Sequence, residues 1–211
     1  MTKRIIAVAA VVGMLTFAMG ALGAQGAAEY VEAHPELATV ANDVESVVAS
    51  DEEGILWMRE EEKLARDVYL ALYEQWGIRT FANIARSEQR HMDAVAYLMQ
   101  SKGIEDPVIG TTPGEFLNDE LQALYDQLVE QGISSPLEAL TVGAIIEDLD
   151  IYDLQRFIDS TNDPDTVRVY TALLRGSENH MRSFAGLLER FGGSYEARYI
   201  SSDELDAIMG R

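Results

Sequence analysis

Ser87–Glu88–Gln89–Arg90–His91–Met92 sits inside a stretch whose apolar residues recur at helical spacing: Phe81, Ile84, Glu88, His91, Val95, Leu98. Steps of three and four place these residues on one face of a helix. That face is core-like except for one carboxylate and one imidazole, a turn apart. The pattern recurs further along. Arg90–His91–Met92 is matched by Asn179–His180–Met181, and Arg86 and Arg175 each precede their histidine by five residues. The second stripe reads Tyr170, Leu173, Ser177, His180, Phe184, Leu187, Phe191. Two more stripes complete the set: Met58, Glu62, Ala65, Tyr69, Leu72, Trp76, and Leu140, Gly143, Glu147, Asp150 or Ile151, Leu154, Ile158. No alternating strand pattern longer than a few residues occurs after Asp51.

Punctuation supports four long helices. The first is predicted from Asp51 to Trp76, stopped by Gly77, and the second from an N-cap at Thr80 to Ser101–Lys102–Gly103. A loop with Pro107, Gly110, Pro113 and Gly114 follows, then a short helix from Asn118 to Glu130. Ser135–Pro136–Leu137–Glu138 is a capping box with proline at the first helical position, opening a helix to Asp159. Asp163–Pro164 opens the last long helix, ended by Gly192–Gly193, and a short helix starts at Ser202. The expected fold is an all-α four-helix bundle with a long connection between helices two and three and short extra helices.

Each stripe carries ionisable or hydroxyl groups at mid-height. Burying a lone carboxylate in an apolar core is costly unless something compensates it. Several carboxylates and two imidazoles at one level call for a positive centre, and few inward lysines or arginines are available to supply it. A pair of bound metal ions supplies that charge. Bundle-type di-iron and di-manganese proteins use a Glu from each of two helices and a Glu-x-x-His from each of the others. Glu62, Glu88 with His91, and Glu147 satisfy three helices of that template. The fourth keeps His180 but has Ser177 at the Glu position, and Glu178 points away. Asp150, three residues after Glu147, is the candidate replacement. The expected ligand set is Glu62, Glu88, His91, Glu147, Asp150 and His180.

Glu61–Glu62–Lys63–Leu64–Ala65–Arg66–Asp67–Val68–Tyr69, Ser87–Glu88–Gln89–Arg90–His91–Met92, Ile146–Glu147–Asp148–Leu149–Asp150 and Asn179–His180 resemble a prokaryotic ferritin-like family. That family is a domain of unknown function in the ferritin and rubrerythrin-like superfamily, and the similarity covers residues 52–209. The spacing of Glu62 and Tyr69 is similar to that of the first-helix ferroxidase Glu and its nearby Tyr in ferritins. The resemblance implies the bundle fold and a dinuclear metal site, but no assigned reaction.

Weighed singly, Glu60, Glu61 and Glu62 form a run of the kind that marks a solvated face, and only the stripe selects Glu62. Tyr69 reads as a core tyrosine, with a hydrogen-bond donor to the site or a radical relay as the alternative. Ser177 reads as a small residue leaving room for water or substrate. Met92, Met99 and Met181 read as packing residues. His34 has no assigned role, and no residue is assigned a catalytic step.

Residues 1–28 join Lys3 and Arg4 to an apolar run from Ile5 through Met19 and a small-residue end, the pattern of a secretory signal peptide. An uncleaved anchor is the weighed alternative. Residues 29–50 read as a polar leader and 51–211 as the bundle domain. The expected location is secreted or periplasmic, with no stable membrane partner after cleavage. The chain has 211 residues, 36 acidic against 16 basic side chains, a net charge of −20, and no cysteine. The charge argues against nucleic acid as a partner. The absence of cysteine excludes disulfides, thiolate zinc, iron–sulfur clusters and a cysteine nucleophile.

The functional expectation is an extracytoplasmic carboxylate protein holding two metal ions, iron ahead of manganese. Its reaction would be iron oxidation or peroxide reduction, with oxygen or peroxide as the small-molecule partner, and a homodimer is compatible. The alternative is a non-catalytic metal-binding or scaffold bundle, with a storage cage as a third reading.

Overall fold

The computed structural model describes residues 51–211, and those residues form six α-helices and no strand. The expected signal peptide 1–28, the expected leader 29–50 and His34 lie outside the described residues. The helices are α1 (Asp51–Trp76), α2 (Arg79–Lys102), α3 (Asp119–Gly132), α4 (Pro136–Ser160), α5 (Pro164–Arg190) and α6 (Ser202–Met209). None is long and apolar enough to cross a membrane.

Local chemistry sets most of the ends. Asn118 accepts from the backbone N–H groups of Glu120 and Leu121, Ser135 from Glu138, Asp163 from Thr166, and Ser201 from Glu204. Each side chain satisfies donors that a first helical turn leaves without a partner. The Ser135 box is half formed, because the Glu138 carboxylate accepts from Gln131 Nε2 at 2.8 Å rather than from the cap. Thr80 is not an N-cap. α2 begins at Arg79 behind Ile78, which makes no side-chain cap bond. Gly103 closes α2 in the left-handed region at φ 71°, where glycine has no Cβ to clash.

The four long helices pack in a cycle: α1 on α2, α2 on α5, α5 on α4, and α4 on α1. The chain between α2 and α4 returns over the outside, and its α3 lies against both α1 and α4. This explains why α1 and α4 are buried over more of their circumference than one stripe. On α1 the buried residues include Arg59, Glu60, Glu61, Glu62, Lys63 and Asp67 as well as Met58, Ala65, Tyr69 and Leu72. The run Glu60–Glu62 is therefore not a solvated face.

Two apolar clusters fill the interior at either end. One holds Val68, Tyr69, Leu72, Phe81, Leu140, Phe184 and Leu188. The other holds Ile55, Met58, Val95, Leu98, Leu154, Phe157 and Tyr170. Met92, Met99 and Met181 are buried packing residues. Phe191, which closes the α5 stripe, is 60% exposed because α5 ends at Arg190 and the chain turns away. Both Asp150 and Ile151 of the α4 stripe are buried.

Candidate metal centre

Between the two apolar ends lies a buried polar level. Glu62 comes from α1, Glu88 and His91 from α2, Glu147 from α4 and His180 from α5. The i, i+3 spacing on α2 puts Glu88 and His91 side by side, with Glu88 Oε2 2.8 Å from His91 Nδ1. The other oxygen of Glu88, Oε1, lies 2.8 Å from His180 Nδ1. One carboxylate thus faces two imidazoles, one with each oxygen. His91 Nδ1 is also 3.1 Å from Glu62 Oε2, and His180 Nδ1 is 3.4 Å from Glu147 Oε2. The two rings stack with centroids 5.5 Å apart.

Two triads follow: Glu62, Glu88 and His91, and Glu88, Glu147 and His180, each with its ligand atoms within 4.8 Å of one another. Glu88 belongs to both. Whether a cation suits this arrangement is tested by the atoms left over. Glu62 Oε1, Glu88 Oε1 and His180 Nδ1 are buried without a hydrogen-bond partner. Glu88 Oε1 and His180 Nδ1 lie close together yet unaligned for a hydrogen bond. Atoms that approach a shared point without bonding one another suit a cation between them. Oxygen and imidazole donors of this kind are ligands that iron, manganese and zinc accept.

Burial disfavours charge here, and neighbours decide the outcome. Burial pushes Glu62 up to about 7, against the pull of His91. Burial also raises Glu147, partly offset by His180. Glu88 goes the other way: burial pushes it up, but the two imidazoles outweigh burial and hold it at about 2. Burial lowers the imidazoles, yet Glu62 and Glu88 raise His91 to about 12, and Glu147 and Glu88 raise His180 to about 10. Without an ion, protonated imidazoles are what neutralise this level.

Asp150 is buried beside the site but outside both triads. One of its oxygens accepts from Ser177 Oγ, which also donates to the Leu173 carbonyl at 3.1 Å. The carboxylate thus meets α5 at Ser177. Its other oxygen, Oδ1, is unpartnered. Of six expected ligands, the structure brings five into the triads and leaves Asp150 against them.

Several participants were less visible in the sequence. Tyr69 is a buried core residue, and its hydroxyl also donates to Glu147 Oε1 at 2.5 Å, so it packs in the core and is a hydrogen-bond donor to the site. Gly176 lies against the His91 ring: a Cβ there would fall 2.5 Å from His91 Nε2. Glycine in a helix interior is unfavourable, so its presence one residue before Ser177 was the available signal. Lys63 is buried but supplies no charge to the centre. It donates to Asp67 at 2.7 Å and to the carbonyls of Thr112 and Glu115 at 2.9 Å, pinning the loop that precedes α3.

The family described as an uncharacterized protein domain, DUF2202, matches residues 51–211. Uncharacterized protein MJ0754 of Methanocaldococcus jannaschii is 46% identical over 181 residues, covering 86% of this chain and 94% of that protein. The crystal structure of hypothetical protein MJ0754 from Methanococcus jannaschii superposes with a TM-score of 0.75 at 50% identity, covering 76% of this chain and 91% of that one.

Proposed function

The chain belongs to the DUF2202 family, and we propose that its buried level is a dinuclear iron or manganese centre in a ferritin-like four-helix bundle. The reaction class is oxidoreduction, with iron oxidation or peroxide reduction as the candidate activities. The closed cycle of α1, α2, α5 and α4 supports the bundle reading, with the α3 segment as its long connection.

The observation that carries the proposal is Glu88, whose two oxygens face two imidazoles and which both triads share. In this reading Glu88, shared by both triads, would contribute to holding both ions, with His91 and Glu62 holding one and His180 and Glu147 the other. A bound pair of redox-active ions would supply electrons to dioxygen or peroxide, chemistry for which this mixed carboxylate and imidazole set is suited. The chain's own part is to hold and exclude. Tyr69 fixes the orientation of Glu147 by its hydroxyl, Ser177 fixes Asp150, and the apolar clusters at either end keep bulk water out. The signal-like segment at residues 1–28 supports an extracytoplasmic location.

Elemental analysis of the full chain after exposure to iron, manganese and zinc under low oxygen tests the centre. About two iron or manganese ions per chain are expected from the two triads. One zinc or no metal would sink the oxidoreductase reading. Two ions without oxygen- or peroxide-dependent turnover would leave a metal-binding bundle.

A further inference from the structure

Outside both triads, Glu60, Asp67 and Asp148 are buried with partners from the loop before α3 and the C-terminal segment, while Glu61 of α1 and Asp150 and Asp153 of α4 form a further buried set. The Trp57 indole N–H donates to Glu61 Oε2 and Asp153 Oδ2, 3.1 Å in each case, which ties the two helices together. Trp57 also lines an open cleft between α1 and the loop before α3, with Leu56, Pro107 and Leu117. Asp153 gives its other oxygen to Arg156, 3.1 Å away, whose side chain is 54% exposed. Further in, Glu61 Oε1 and Asp150 Oδ1 are buried with no hydrogen-bond partner. The Glu61 carboxylate is repelled by Asp153, Asp150 and Glu62 together. The Asp150 carboxylate is repelled by Glu62 and Glu147.

Such a row is costly in a seam that serves packing alone. It is not a closed site either. Among the described residues, only the two triads bring three ligand atoms within 4.8 Å of one another. Two carboxyl groups that each keep one buried, unpartnered oxygen, Glu61 and Asp150, suit a cation that stops briefly, displaces a proton and moves on.

We propose that Asp153, Glu61 and Asp150 form the entry route by which a divalent cation reaches the triads, with Glu61 as its transient binding residue. This rests on the metal-centre reading above. Glu61 has one oxygen anchored by Trp57 and one free to turn toward an ion, and its chain neighbour Glu62 is a member of the first triad. Arg156 closes the outer end through a hydrogen bond to Asp153 on an exposed arm, which an arriving cation displaces. The competing way in is the α2–α5 seam, where the side chains of His91 and His180 are 12% and 9% exposed. There the imidazoles reach the surface beside Gly176.

The test reads uptake rather than turnover. The full chain, stripped of metal and mixed with Co²⁺ without oxygen, develops visible absorption as the ions coordinate. Stopped-flow gives the rate, and elemental analysis gives the final content. Glu61→Gln keeps the size and the acceptor for Trp57 but removes the oxygen that can lose its proton to an arriving ion. Loss of a carboxyl that ionises against the arriving ion is expected to slow uptake by about tenfold with final content unchanged. Asp153→Asn is expected to slow it as well, and Glu196→Gln, on the exposed surface, is not.

Uptake at the unmodified rate in Glu61→Gln would overturn the route. A lower final content would make Glu61 a resident ligand and overturn its transient role. If the unmodified chain takes up no Co²⁺, the metal-centre reading fails and the route falls with it. Should Glu61→Gln fail to fold by circular dichroism, Asp153→Asn carries the same test.

Discussion

Glu88 has a chemical position unlike that of the other buried carboxylates. Two imidazoles hold it ionised at about 2, while burial raises Glu62, Glu61, Glu147 and Asp150. Glu88→Ala or His91→Ala is therefore expected to abolish stoichiometric metal, measured by elemental analysis, whereas His34→Ala leaves it intact. Gly176→Ala acts on the same histidine indirectly. Its Cβ would sit 2.5 Å from His91 Nε2 and force the ring to move, so reduced metal content is expected with little loss of helix. Tyr69→Phe leaves Glu147 Oε1 without its donor. It is expected to destabilise the metal-free chain by about 1–3 kcal/mol in urea titrations, the cost of a buried group left unpaired. At this level the sequence was readable where a polar residue interrupted an apolar stripe, which singled out Glu88, His91, Glu147 and His180. It was not readable where two helices had to be juxtaposed first. Asp150 and Ser177 meet only because α4 packs on α5, and their positions in the sequence do not say that the Ser177 hydroxyl donates to the Asp150 carboxylate.

α1 presents three consecutive glutamates to three different places. Glu60 accepts from the backbone N–H groups of Leu117 and Asn118, at 2.6 and 3.1 Å, just before α3. Glu61 accepts from Trp57, and Glu62 faces His91. In the sequence the stripe selects Glu62 alone from this run, and nothing marks Glu60 or Glu61 as buried, because the stripe describes one covered face of α1. The loop before α3 covers the second, and Lys63, Asp67 and Arg59 fasten it. Arg59 grips Asp106 at 3.0 and 2.9 Å and the Met92 carbonyl at 3.0 Å. Lys63→Met removes the donor shared by Asp67 and two carbonyls. A loss of about 3 kcal/mol is expected by chemical denaturation, as for breaking a buried pair. Asp148 does for the C-terminal segment what Lys63 does for the loop. It accepts from the Tyr195 hydroxyl and from the backbone N–H groups of Arg198, Tyr199 and Ile200. Asp148→Ala is expected to speed hydrogen exchange at those three amides while α2 stays protected. Helix ends, by contrast, were legible almost throughout, because Asn118, Ser135, Asp163 and their successors act within one turn.

For the whole molecule, the buried carboxylates make stability depend on pH in an unusual direction. Burial raises Glu62 from its ordinary value of 4.5 to about 7, and Glu61, Glu147 and Asp150 are raised as well. A carboxyl whose folded pKa exceeds its unfolded one stabilises the fold while it is protonated. For Glu62 that contribution is complete below about 4.5 and lost as pH rises through about 7. Glu88 has the opposite sign, with its contribution present above about 4.5 and lost as pH falls toward about 2. The imidazoles contribute below about 6.5, a stability lost only as pH passes about 10 for His180 and about 12 for His91. The metal-free chain is thus expected to lose stability between about pH 4.5 and 7 in urea titrations. Metal should flatten that slope, because ions bind the deprotonated carboxylates and release protons. Metal-free stability that rises across the same interval would contradict this.

The most direct measurement is anomalous diffraction from crystals of the full chain loaded with iron or manganese, recorded at the edge of the loaded metal. Two peaks are expected, one among Glu62, Glu88 and His91 and one among Glu88, Glu147 and His180, with Glu88 touching both. A single peak, or none at this level, would contradict the dinuclear centre.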